Sequence, residues 1–243
     1  MIKQTVYALV ATIAIAAATP AMAIVTTFAT VADNNQDFSW QVTNGVGTLN
    51  TNNTTVGASV NFQYANLVGL PTFLQGNVQA YMLINGGAGI QTTGNAGLFN
   101  GSYYQNLNRT FTITYSLVNP IGGKSNLLTV TIGKGANATP SMAGSTSVIS
   151  ITTGSSSYFE SFSSDFLSFS GGSTYSSVIG FNSVTPSVNV VNGAAFMDNF
   201  NASALLANFS ADPVPTVVPE PGSLAALIGG LMALSIAMRK RTA

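Results

Sequence analysis

The sequence has no cysteine and no histidine among its 243 residues. Without cysteine there is no disulfide, no thiolate nucleophile and no iron–sulfur ligation. Without histidine the Ser-His-Asp and Cys-His relays are excluded, as is every metal site that needs an imidazole. Charge is scarce too. Seven Lys+Arg balance seven Asp+Glu, and charged residues are 6% of the chain, where ordinary globular domains carry about 25%. Cations this few and scattered cannot form a nucleic-acid footprint, so no nucleic-acid partner is expected.

What fills the space is polar and neutral. The chain holds 26 Ser, 27 Thr and 23 Asn, so its surface is hydrated by hydroxyls and carboxamides rather than by ions. Its length is enough to bury the core of one domain of ordinary to large size, with appendages.

Both ends read as membrane addresses. Lys3 gives a positive start, Val6 to Ala18 an apolar Ala-rich run, and Pro20 a helix break. Ala21-Met22-Ala23 then places small residues at the two positions a signal peptidase reads. This order predicts a signal peptide over 1–23, Ile24 as the first mature residue, and export. At the other end, 213–222 is a proline-rich linker, and proline geometry excludes helix there. Ser223 is a plausible N-cap. Residues 223–238 predict a single transmembrane helix, and 239–243 a basic cytoplasmic tail in which Arg239, Lys240 and Arg241 stop transfer. Its length of about 24 Å falls short of a hydrocarbon core of about 30 Å. Snorkelling of Arg239 and Lys240, or local thinning, covers the difference. Lys3 and the terminal cluster both mark the cytoplasmic side, which puts everything between them outside.

The series Val218-Pro219-Glu220-Pro221-Gly222-Ser223, apolar span, Arg239-Lys240-Arg241 resembles the PEP-CTERM sorting signal of Gram-negative bacteria. That family pairs an N-terminal signal peptide with a C-terminal Pro-Glu-Pro motif, one hydrophobic span and a basic tail. The likeness covers about residues 213–243. It implies processing by an exosortase, a membrane-embedded, cysteine-protease-like sorting enzyme of bacteria that make exopolysaccharide. Pro219, Glu220 and Pro221 match the recognition motif one for one, as a substrate site and not a catalytic one. The implied route is a transient inner-membrane anchor, then the cell envelope, the cell surface or the extracellular matrix of a biofilm or floc. A GPI signal is the rival arrangement. The terminal basic cluster and the missing polar spacer argue against it.

The middle, 24–212, reads as an all-β ectodomain. Val56–Tyr64, Asn77–Ile84, Thr110–Val118 and Asn126–Ile132 alternate apolar and polar residues with period two. Shorter candidates are Val25–Val31, Phe38–Val42, Val148–Thr152, Phe166–Ser170, Ser177–Phe181 and Val188–Val191. Asn44-Gly45, Asn85-Gly86-Gly87, Asn100-Gly101, Gly171-Gly172 and Asn192-Gly193 supply turns, and Asn119–Gly123 a loop closing a hairpin. Roughly ten short strands predict an antiparallel β-sandwich or jelly roll. Trp40 lies in an alternating run and is expected in the core. Asn199–Phe209 has a helical spacing through Phe200, Ala204, Leu205 and Phe209 and equally reads as a final strand with a bend, the reading preferred; the Ser-rich tract between Ser155 and Ser177 reads as loop, then strand.

Chemistry is thin. Asp33-Asn34-Asn35-Gln36-Asp37 is rich in oxygen ligands and suits a hard cation such as Ca²⁺, with Asp33 and Asp37 as the acids. It lacks the spacing and closing Glu of an EF-hand, and a solvated turn is the other reading. Glu160 and Asp165 flank a Ser-rich stretch, and nothing in sequence brings them together as a glycosidase pair. Gly86-Gly87-Ala88-Gly89 has no following helix and no Lys, so it is a turn and not a phosphate cradle. No cofactor is expected beyond that cation. The expected function is structural and not catalytic: an exported, exosortase-sorted surface or matrix protein. Its partners are signal peptidase, the exosortase, transiently the inner membrane, and exopolysaccharide. The alternative is a carbohydrate-binding module, with Tyr103 or Tyr104 as the stacking aromatic. Adjacent strand residues face opposite ways, so at most one of the two is exposed.

Overall fold

The structure, a computed structural model, describes residues 25–107, 109–135, 139–153, 158–190 and 195–219. The expected signal peptide with Ala21 and Ala23, together with Glu220, Pro221, the apolar segment 223–238, Arg239, Lys240 and Arg241, lie outside the described residues. Among the described residues no helix is long and apolar enough to cross a membrane.

The body is all-β and antiparallel throughout. In chain order the strands are β1 (Thr26–Asp33), β2 (Phe38–Thr43), β3 (Val46–Thr51), β4 (Ala58–Tyr64), β5 (Asn77–Ile84) and β6 (Ile90–Thr92). There follow β7 (Ala96–Phe99), β8 (Ser102–Asn106), β9 (Phe111–Ile121), β10 (Lys124–Lys134), β11 (Ser141–Gly144) and β12 (Ile149–Thr152). The last are β13 (Tyr158–Ser163), β14 (Leu167–Ser168), β15 (Thr174–Thr185), β16 (Phe200–Asp212) and β17 (Thr216–Val217). Fifteen of them form one sheet with the path β13-β10-β9-β5-β4-β1-β16-β15-β12-β11-β8-β7, while β2, β3 and β6 branch from β16. β14 and β17 pair separately.

The period-two runs become strands because one set of alternate positions is apolar. Phe111, Ile113, Tyr115 and Leu117 of β9 are buried, and the Thr and Ser between them are half-buried. Two-residue turns at Asn44-Gly45, Asn100-Gly101 and Gly122-Gly123 have positive φ at both positions, the twist that suits a right-handed hairpin. The third replaces the expected 119–123 loop, for β9 runs on through Pro120. β5 pairs with β9 only as far as Leu117, so the missing Pro N–H faces a free edge and breaks no ladder. Other runs also differ from expectation. Val188–Val190 carry no strand, the 166–170 strand shortens to β14, and β13 forms within the tract expected to begin as loop.

The sheet is rolled. β13 and β16 are six positions apart on the path, about 29 Å if flat, yet the Phe162 and Phe209 rings are 6.1 Å apart. Phe28, Phe62 and Tyr115 complete that aromatic centre. The other half curls as well. Trp40 of β2 donates its Nε1–H to Met197 O, and the Met197 N–H donates to Oε1 of Gln105 on β8, both at 3.1 Å. Trp40 is fully buried, as expected, stacked on Phe200, and its indole fills the space a Cβ at Gly47 would need.

Candidate functional site

Three places carry the polar chemistry. The first is the exit of the C-terminal segment. The proline-rich stretch is laid on the body: Leu167 pairs with Val217, Ser168 with Thr216, and the Val218 N–H donates to Phe166 O at 2.8 Å. Val217, Val218 and Pro219 form one wall of a cleft of about 510 Å³, with Val68, Gly69, Pro71 and Thr72 opposite. Phe166 anchors this corner, edge-on to Phe73 and beneath the Lys124 ammonium. Among the described residues, Pro219 is the first beyond the last backbone bond to the body.

The second is a clasp between strands that share no backbone ladder. Glu160, on β13, accepts hydrogen bonds from the hydroxyls of Thr153 (2.6 Å) and Ser177 (2.5 Å), while Ser177 N–H donates to Thr153 Oγ1 at 2.8 Å. Burial pushes the Glu160 carboxyl above its ordinary pKa, against the opposing pull of the two hydroxyls. Asp165 is bound elsewhere: its Oδ2 accepts from the N–H groups of Ser125 and Asn126. The two acids thus serve separate structural bonds. Asp33 points to the core side of β1 and is 4% exposed. Its Oδ1 accepts from Asn35 N and Nδ2, its Oδ2 is buried without a partner among the described residues, and burial raises its pKa, with Asp37 adding repulsion. Asp37 is half-buried at the entry to β2. Among the described residues no group of three or more acidic, His or Cys side chains is placed to hold a metal. Tyr103 packs on the core. Tyr104, on the outer face, lies over Gly97 of the neighbouring strand, where a Cβ would come within 2.7 Å of its ring.

The third place was not singled out by sequence. On the outer face the register aligns Asn208 of β16, Thr30 of β1, Gln63 of β4 and Asn77 of β5 in one row. Leu206, Ala32, Asn61 and Gln79 form the next row. All of these except Gln79 line a cleft of about 300 Å³ whose floor is the sheet itself. Gln79 Nε2 donates to Asn61 Oδ1. The side chains of Thr30, Gln63, Asn77 and Asn208 make no hydrogen bond among the described residues. The alternation of β4 and β5 showed Asn61, Gln63, Asn77 and Gln79 as outward positions. That β1 and β16 complete the rows is a property of topology, invisible in the sequence.

No family model, curated protein or solved structure matches the chain.

Proposed function

We propose that the chain is an exported surface or extracellular-matrix protein with a structural and non-catalytic role. In this reading the rolled sheet is a sandwich-like, jelly-roll-type module. Signal peptidase releases the N-terminus after Ala23, and the 223–238 span holds the protein briefly in the inner membrane. An exosortase then recognises Pro219-Glu220-Pro221. The observation that carries the reading is the order of the C-terminal parts: motif, apolar span and Arg239-Lys240-Arg241, resembling the PEP-CTERM signal. The body adds support, because the last described backbone bond to it is made by Val218, immediately before Pro219 of the motif. Fractionation of the producing cell tests this. Glu220→Ala, or removal of 239–243, leaves the protein in the inner membrane; release unchanged from wild type refutes the reading.

A second reading, carbohydrate binding, is favoured by one observation: the outer-face row that contains the carboxamides of Gln63, Asn77 and Asn208, whose side chains have no hydrogen-bond partner among the described residues.

A further inference from the structure

We propose that the cleft over β16, β1, β4 and β5 is a binding site for a neutral glycan chain. The inference rests on the carbohydrate-binding reading and gives it a place away from Tyr103 and Tyr104.

Four observations point to that ligand. None of the eight positions in the two rows is charged, so the face neither attracts nor repels ions. Each carboxamide offers both donors and an acceptor, matching hydroxyl groups that also do both. Leu206, 56% exposed beside Asn208, offers an apolar surface to the C–H side of a sugar ring. The rows cross four strands, about 14 Å, a length that suits a chain of rings better than one small molecule.

The same face is poorly suited to the other occupant of a bare sheet, a second protein chain. All four strands are internal to the sheet, and apart from the short β9-facing side of 77–79 their backbone groups are laddered, which leaves too little open edge for strand addition. The rows also lack the aromatic, Met and Arg side chains that enrich protein interfaces. Recognition here falls to side-chain amides on a rigid floor, and the Gln79–Asn61 bond fixes the direction of two of them.

Affinity electrophoresis tests the proposal, with the full chain in mild detergent run through gels containing dextran, galactomannan, hydroxyethyl cellulose or the acidic polymer alginate. The expected result is retardation in at least one neutral gel. Asn77→Ala and Asn208→Ala should each weaken binding about fivefold, the loss of one neutral hydrogen bond. Both positions are exposed, so their thermal unfolding should match wild type, and Tyr104→Ala should bind normally. Retardation abolished by Tyr104→Ala but kept by the amide variants overturns this site and leaves carbohydrate binding standing. No retardation in any neutral gel, or retardation by alginate alone, overturns both. Self-association seen by light scattering and lost in the amide variants, without retardation, makes the face an interface between copies and overturns the proposal.

Discussion

Glu160→Ala should open the seam that closes the roll. In the native protein the carboxylate takes one hydroxyl from Thr153 and one from Ser177, at 2.6 and 2.5 Å. Thr153 and Ser177 are 7% and 1% exposed, so water cannot replace the lost acceptor. The carboxylate's own contribution is small, because burial outweighs the two hydrogen bonds in setting its pKa. The cost of truncation therefore lies with the stranded hydroxyls. They stand 2.9 Å apart and can satisfy one another in part, which leaves the Thr153 hydroxyl only its longer bond to Ser177 O at 3.2 Å in place of the short bond to the carboxylate. The expected loss is about 2 kcal/mol. Glu160→Gln keeps an acceptor for one hydroxyl and a donor for the other, and should cost less than about 1 kcal/mol.

The variants also separate by pH. A carboxyl whose folded-state pKa is raised keeps its proton in the native state where the unfolded chain has lost it. Stability from such a group is greatest at or below the unfolded value, here 4.5 for Glu160, and declines as pH rises through the folded value. Asp33, raised from 3.8, acts in the same direction. Wild type should therefore gain stability between pH 7 and pH 4.5, and Glu160→Gln should gain less. Urea unfolding reports this directly, since the sole tryptophan, Trp40, is fully buried. Equal losses for the Ala and Gln variants, or an Ala variant within about 0.5 kcal/mol of wild type, would refute the clasp.

Two further substitutions probe the core. Gly47→Ala drives a methyl group into the buried Trp40 indole, with the Phe196 ring at 3.1 Å on the other side; overpacking should cost about 3 kcal/mol and alter Trp40 fluorescence. Tyr115→Phe removes a buried hydroxyl that has no partner among the described residues, and should stabilise the protein by about 1 kcal/mol. Tyr64→Phe removes a hydroxyl that donates to Leu127 O at 2.6 Å and should destabilise by a similar amount. Melting temperatures of the pair moving in the same direction would contradict the assignment.

Much of the β architecture was legible because burial follows period two. Asn77–Ile84 matches β5 end to end, and the 199–209 run is the core of β16, the strand to which both halves of the sheet attach. Of the strands that escaped the pattern, β3 does alternate in burial but turns Gly47, Leu49 and Thr51 inward, only one of them a large apolar residue, while β7 and β11 do not alternate. Ala96-Gly97-Leu98-Phe99 of β7 is held by its Asn100-Gly101 hairpin and by Tyr104 covering Gly97, and Ser141-Met142-Ala143-Gly144 of β11 is held between β8 and β12. For such segments the neighbours decide, and a linear pattern carries no trace of them. The same limit applies to the sites. Glu160 was visible as an acid beside a Ser-rich stretch, but its partners are Thr153, one residue past a strand read as Val148–Thr152, and Ser177, read as the start of another. The amide rows needed β16 to be placed beside β1, a contact between the two ends of the body.

Scarcity of charge takes on a structural meaning once the acids are located. Asp33 is inside, Glu160 is held by the clasp, and Asp165 is bound to two backbone N–H groups at the foot of β10. Half of the six acids between Ile24 and Val218 are thus engaged in holding the fold, and the exterior is more neutral than the composition alone suggests. A surface of hydroxyls and amides has no counterion atmosphere to release and little long-range field, so its contacts change little with ionic strength. It must then bind through direct hydrogen bonds and close apolar contact, which are short-ranged and individually weak. Such a surface gains hold by repetition along a chain-like partner, and the two parallel rows of neutral side chains over β16, β1, β4 and β5 are a place on the described outer face where that repetition is already built.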